Sequence, residues 1–312
     1  MNPRRTQRGV ALIVALLVVA LATVLIAGLL DRGELNLARV RNQLREAQAQ
    51  AYAQGLEAYA ARVLAQAQAS EPSCDANTSA WAVPLPSTPV PGGEISATMR
   101  DRNGCFNLNN LLDDPSQIDA VWQQKFVRLL QVLRLDEGLA KAITDWMLSA
   151  SMTDDGFYLQ QDVPYRPAKQ GFVHVSELRL VKGVSADVYA RLAPEVCALP
   201  RGTPINVNTA SVAVLMTLSD TLTEQTAKAI WQDGHASYGS LQSVMSSQPG
   251  LVIDCALPTT RKCYDVHSSY FLARGDITLD GLPFTFYSLI ERHPGGAAGG
   301  IRVIERSRGA DL

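Results

Sequence analysis

The chain has 312 residues, 47% of them hydrophobic and 19% charged, with a formal net charge of −2. Near-neutrality argues against a partner held chiefly by charge, nucleic acid above all. The length leaves room for two compact domains beyond any membrane segment.

The first element is apolar. Nine residues that include Arg4, Arg5 and Arg8, and no acid, precede an uncharged run from Val10 to Leu30. At about 1.5 Å per residue this run spans roughly 30 Å as a helix, the thickness of a bilayer core. The arginines keep the N-terminus cytoplasmic. The rest of the chain is expected to be exported after a single pass. A secretory signal peptide has a shorter apolar stretch closed by a small-residue cleavage site, and nothing of that kind occurs before Asp31. A plain signal anchor fits the hydropathy equally well. The junction Arg8-Gly9-Val10 adds a distinction: a basic leader ending in Gly directly before the apolar run resembles that of type IV pilins and type II secretion pseudopilins. The resemblance implies cutting by a prepilin peptidase between Gly9 and Val10 and methylation of the new terminus. It also implies the inner membrane of a Gram-negative cell, with the bulk of the chain in the periplasm.

Helical character continues beyond Leu30. From Asp31 to Ala69 there is no Pro, and Ala, Leu, Gln, Arg and Glu dominate, all good helix formers. Leu37, Val40, Leu44, Ala47 and Ala51, then Tyr52, Leu56, Tyr59 and Val63 after a one-residue shift, recur at helical spacing. One rod over residues 10–70 is expected, with its outer stripe packed on its own domain. Glu71 to Gly93 holds five prolines and reads as a loop. Glu94–Arg102 and Cys105–Leu111 alternate about an Asn103-Gly104 turn, which predicts a hairpin. From Gln117 to about Met245 short amphipathic helical segments follow one another. From Cys263 on, β-branched and aromatic stretches return with Gly281 in a turn, and they read as strands. A sheet split by a helical block predicts an α+β fold: a long N-terminal transmembrane helix, an antiparallel sheet, and an all-α domain inserted between strands. The boundaries are a leader at 1–9, the helix at 10–70 (10–30 in the membrane), the first part of the α/β domain at 71–111, the helical insertion at 112–245 and the closing strands at 246–312.

Five cysteines lie in the exported part, where disulfides persist. Cys255 and Cys263 are eight apart across a Pro-containing loop, which favours a local bridge. Cys74 with Cys105 is the second expected pair, leaving Cys197 over, although spacing alone leaves the connectivity open.

Taken in order, the leader ending in Gly9, the long helix, GCFNLNNL at Gly104–Leu111, Asp145-Trp146, YLQQDVPYRPA at Tyr158–Ala168, VSELRLVKGV at Val175–Val184 and INVNTA at Ile205–Ala210 resemble the type II secretion minor pseudopilin K family. The match covers essentially the whole chain. It implies a pseudopilin fold with a large helical insertion. It also implies a place at the pseudopilus tip with the minor pseudopilins I and J, near secreted substrates and the outer-membrane secretin. Members of that family lack the glutamate that major pseudopilins carry at mature position five; here the position is Val14.

Two further readings arise from the helical block. SELRLVKGVSADVYARL and INVNTASVAVLMTLSDTLTEQTAKAI resemble helix-hairpin-helix motifs, so the competing function is a membrane-anchored DNA-binding protein of a competence or type IV pilus system. Such a motif needs a Gly-x-Gly turn whose amides face a phosphate, with basic residues nearby. The first turn has Gly183 alone, and the second is SDTL with Asp220. The resemblance also implies calcium near Asp154 and Asp155. Hard cations want six or more oxygens, and this chain departs from the pattern with Leu148 where an acid is expected. Nothing invites catalysis: the four histidines share no metal-ligand spacing, and no Gly-rich phosphate loop or G-x-S-x-G occurs.

Overall fold

The computed structural model describes residues 4–149, 155–253, 255, 262–293 and 300–310. The chain divides into two compact units, residues 1–54 and 55–312. Helix α1 runs over Arg4–Ser70, in agreement with the unbroken run of helix formers. In the first unit the apolar side chains from Val10 to Leu30 are all exposed, and so are Leu37, Val40 and Leu44.

In the second unit the buried stripe of α1 is Leu56, Ala60, Leu64 and Ala67. Tyr59, assigned to the stripe from spacing, is 46% exposed. The reason is steric: alanine and leucine let the helix lie close to the sheet, whereas a tyrosine ring would hold it off. Contact is tightest at Gly275, where a Cβ would lie 2.7 Å from Leu56 Cδ1.

The sheet has five antiparallel strands in the order β1-β2-β9-β10-β11. Its first hairpin joins β1 (Leu85–Val90) to β2 (Gly93–Asp101). This corrects two expectations. The stretch taken for loop contains a strand, because its prolines Pro86 and Pro89 sit on an edge where no neighbour needs their amides. The hairpin expected across Asn103-Gly104 does not form: β3 (Phe106–Asn107) instead pairs in parallel with β6 (Val196–Cys197).

After β3 the chain builds the helical block. It contains β4 (Leu112–Asp114), β5 (Gln117–Ile118), α2 (Ala120–Val132), α3 (Gly138–Met147), α4 (Asp155–Leu159) and α5 (Ala186–Leu192). Beyond β6 come β7 (Ile205–Asn206), α6 (Val212–Leu215), α7 (Glu224–Trp231), α8 (Leu241–Ser247) and β8 (Tyr264–Asp265). The starts of these helices follow local chemistry. Asp119 caps α2 by accepting from the amides of Val121 and Trp122 at 3.0 and 3.1 Å, and Ser185, Ser211 and Thr223 cap α5, α6 and α7 in the same way. One core serves the whole block, with Phe106, Phe126, Leu129, Leu130, Ile143 and Leu215 at its centre.

The chain rejoins the sheet with β9 (Tyr270–Leu279), which lies directly beside β2. A tight turn through Asp280 and Gly281, both at positive φ, leads into β10 (Leu282–Arg292), and β11 (Ile301–Arg308) closes the sheet. One face packs on α1 through Phe271 and Ile290, with Trp81 set edge-on to Phe271 at 5.1 Å. Glu57 ties α1 to the far side of the sheet. It accepts from Ser288 Oγ at 2.6 Å and from Arg306 Nε and Nη2 at 2.7 and 2.9 Å. Burial raises its pKa, but these hydrogen bonds outweigh burial and hold the carboxyl below its ordinary value.

Candidate functional site

Four kinds of site were legible in the sequence, and a fifth was not. At the N-terminus, Gly9 and Val10 lie within α1 and Val14 one turn further on. Val10 and Val14 are 64% and 52% exposed, as side chains destined for lipid or for neighbouring helices must be. The helix that contains them is long and apolar enough to cross a membrane.

Of the two expected bridges, Cys255–Cys263 forms and Cys74–Cys105 does not. The structure joins Cys105 to Cys197, with Cα atoms 5.8 Å apart, and Cys255 to Cys263, with Cα atoms 5.7 Å apart. Cys74, expected to bridge to Cys105, forms no disulfide. The reason is topological. The parallel β3–β6 pair brings Cys105 beside Cys197 from 92 residues away, a contact that no local spacing reveals. Cys74 is partly buried against the core of the helical block, and burial pushes its thiol pKa up.

Of the acidic-loop residues, Asp154 lies outside the described residues. Asp155 opens α4 and faces Lys169 Nζ at 3.3 Å, while Asp145 is paired with Lys141. Among the described residues no group of three His, Cys, Asp or Glu side chains could hold a metal ion.

The helix-hairpin-helix resemblance takes physical form as two compact helix pairs. Both turns bond to the protein itself; in the first, Lys182 N donates to the Tyr158 hydroxyl at 3.3 Å. Gly183, at φ +84°, leaves a Cβ position only 3.3 Å from Leu139 Cδ2. Asp220 accepts from Gln124 Nε2 at 2.8 Å.

The feature that sequence reasoning passed over is a set of buried asparagines. In FNLNNL, Asn107 Oδ1 accepts from the amides of Asn109 and Leu199 at 3.1 and 3.0 Å. Asn109 Nδ2 donates to the carbonyls of Phe172 and Leu199, both at 2.9 Å. Asn110 spans Gly202 N and Thr203 O, both at 2.8 Å. In INVNTA, Asn208 spans Tyr238 N and O at 2.8 and 3.0 Å. A side-chain amide offers one acceptor and two donors, so each asparagine can stand in for a missing strand and satisfy loop backbone buried in the core. The available signal was the repeated asparagine inside otherwise apolar segments.

These motifs converge on a polar seam between the helical block and the sheet. Asn103 Oδ1 accepts from the amides of Ser269 and Tyr270 at 3.1 and 2.9 Å. Asn206 Nδ2 donates to Ser268 Oγ at 2.7 Å and to Asp75 O at 3.0 Å. Arg292, at the end of β10, forms a buried ion pair with Asp75 and donates to Ser268 O at 2.8 Å.

With this geometry in view, the comparisons with known proteins are decisive. The family described as type II secretion system (T2SS), protein K, matches residues 104–201, the stretch that runs from Gly104 through the Cys105–Cys197 bridge. Type II secretion system protein K of Pseudomonas aeruginosa is 35% identical, covering 98% of this chain and 94% of its own length. The chain belongs to the type II secretion system protein K family. The protein K of Aeromonas hydrophila is 33% identical over 86% of this chain and 88% of its own. A chain of the crystal structure of the GspK-GspI-GspJ complex from enterotoxigenic Escherichia coli superposes with a TM-score of 0.73 at 27% identity, covering 88% of this chain and 100% of that one. As a member of the protein K family, this is a pseudopilin of the protein-secretion machinery with a candidate N-terminal membrane span, and its asparagine motifs are building elements of that fold.

Proposed function

We propose that this protein is the tip subunit of the type II secretion pseudopilus. In this reading it starts filament assembly with the minor pseudopilins I and J and limits filament length, so that folded proteins cross the outer membrane. The observation that carries the reading is Val14. In filaments of pilin type a carboxylate at this position meets the N-terminal amine of the neighbouring subunit. An unpaired charge at the bilayer centre costs at least about 2.5–3.5 kcal/mol, so such a carboxylate drives its subunit onto a growing end. A subunit with valine has no such drive: it can begin a filament but gains little from being added to one. Support also comes from the large block held between β2 and β9, strands adjacent in the sheet, since a subunit stacked over that bulk would clash. The I and J partners rest on the likeness to the GspK-GspI-GspJ complex.

The same reading has the basic leader removed on the cytoplasmic side of the inner membrane by a prepilin peptidase. Intact mass of the protein recovered from membranes should correspond to a chain beginning at Val10. A chain that retains residues 1–9, or begins after Leu30, overturns the pseudopilin processing. For the position in the filament, deletion is expected to reduce secretion of folded proteins while pili formed by overexpressed major pseudopilin become longer or more numerous. Immunogold should label one end of the filament, and even labelling along its length sinks the tip assignment. Intact secretion with lost DNA uptake would instead favour the DNA-binding reading.

A further inference from the structure

The seam between block and sheet contains two carboxylates and one guanidinium. Asp101, the last residue of β2, is partly buried, and its carboxylate is ringed by donors. Oδ1 accepts from Asn103 N at 2.7 Å; Oδ2 accepts from Ser268 Oγ at 2.7 Å, from Asn206 Nδ2 at 3.3 Å and from the Thr209 hydroxyl. Asp75 reaches the same groups from the connection after α1. Its Oδ2 accepts from Ser268 N at 2.8 Å and from Arg292. Ser268 and Asn206 thus touch both acids, while Arg292 is bonded to Asp75 and not to Asp101. Two carboxylates around one buried cation leave one negative charge unmatched, which favours the neutral form of Asp101, the acid without the cation.

We propose that Asp101 takes up a proton beside the Asp75–Arg292 pair, and that this uptake tightens the seam between the helical block and the sheet as the pH falls. The donor set can accept the change. Thr209 Oγ1 has a second acceptor in Asn206 O at 3.4 Å, so its hydroxyl can turn from donating to Asp101 to accepting from it. Ser268 Oγ already accepts from Asn206 and has the same freedom. Burial, above all, pushes Asp101 up to about 6 against the hydrogen bonds from Thr209, Asn103 and Ser268, and the Asp75 charge adds to the rise. A carboxyl raised above its ordinary value contributes fully below about pH 4, and its contribution is lost as the pH rises through about 6. Among the described residues, other titratable groups around the seam are Cys74, whose thiol feels the Asp75 charge, Glu71 and Lys262, which line the same cavity as Asp75 and Arg292, Asp265 with His267, 3.4 Å apart on the approach to β9, and Glu291, which is held by Tyr270 and Arg302.

The test follows thermal unfolding of the full-length protein in detergent micelles between pH 4.5 and 8. The wild type should gain several degrees in melting temperature between pH 7.5 and 5. Asp101→Asn, whose amide imitates the neutral acid, should lose that gain and be at least as stable as the wild type at pH 7.5. His267→Gln should keep the gain. Parallel curves for the wild type and Asp101→Asn overturn the proposal, as does a gain that disappears with His267→Gln. Should Asp101→Asn fail to fold, infrared difference spectra of the wild type decide. A carbonyl band of a buried protonated acid present at pH 5 and absent at pH 7.5 supports protonation of Asp101, and no such band overturns it.

Discussion

Replacing Cys105 and Cys197 together with serine is expected to lower the unfolding free energy by about 4–5 kcal/mol. The bridge joins residues 92 apart in sequence, and closing a loop of that size removes roughly 4.7 kcal/mol of chain entropy from the unfolded state. The loop also coincides with most of the family-defining segment, so cutting the bridge frees the first half of the helical block at both ends. Cys197 is fully buried beside Leu199, Tyr270 and Leu289, and an unsatisfied serine hydroxyl there adds to the loss. The Cys255–Cys263 bridge closes a loop of eight, and its removal should cost only about 2–3 kcal/mol on the same basis. Denaturant unfolding of the two double variants gives the comparison. Equal losses, or a smaller loss for Cys105/Cys197, would show that the long loop is already restrained in the unfolded chain.

The second large effect is expected at Arg292. Replacement by alanine should destabilise by about 3–5 kcal/mol, because one partner of a buried ion pair then remains uncompensated. Its side chain is 5% exposed and that of Asp75 6%, so the pair is little screened by solvent. The guanidinium also lies over the Phe271 ring at 4.7 Å, and that contact goes with it. Arg302→Ala is the matched control. Arg302 pairs with Glu291 at 2.6 Å, but its side chain is 66% exposed, and exposed pairs contribute about 0–1 kcal/mol. The loss at Arg292 should also grow with pH. Without the cation both Asp75 and Asp101 must be buried as anions, and protonation at lower pH relieves that strain. Similar losses for Arg292→Ala and Arg302→Ala would mean that the seam is open to solvent.

The two carboxylates of the seam had no sequence signal. Asp75 lies in a Pro-rich stretch and Asp101 at the end of a strand, and 191 residues separate Asp101 from Arg292 by their numbers. Glu57 is similar: on the sequence it is one polar residue of a long helix, and its bonds to Ser288 and Arg306 exist only because β10 and β11 fold back over α1. The asparagines stand between these cases. Their repetition is visible, but the role of each depends on which backbone groups the fold leaves unpaired.

What the sequence determined by itself was everything governed by local composition and period. An uncharged run of bilayer length, a basic leader ending in glycine and an unbroken set of helix formers dictate α1, and alternation with Gly281 in the turn dictates the β9–β10 hairpin. Ordered short motifs carried the family resemblance, which full-length similarity to protein K sequences then established. Tertiary structure alone decided matters of long-range partnership. Pro86 and Pro89 could occupy a strand because β1 falls on an edge of the sheet. Phe106–Asn107 paired with Val196–Cys197 because Asn103 turns the chain away from β2 and holds the start of β9. That pairing selected Cys197 over Cys74 as the partner of Cys105. In the last two cases the deciding energy is burial or hydrogen bonding between segments about ninety or more residues apart, which no window of sequence contains.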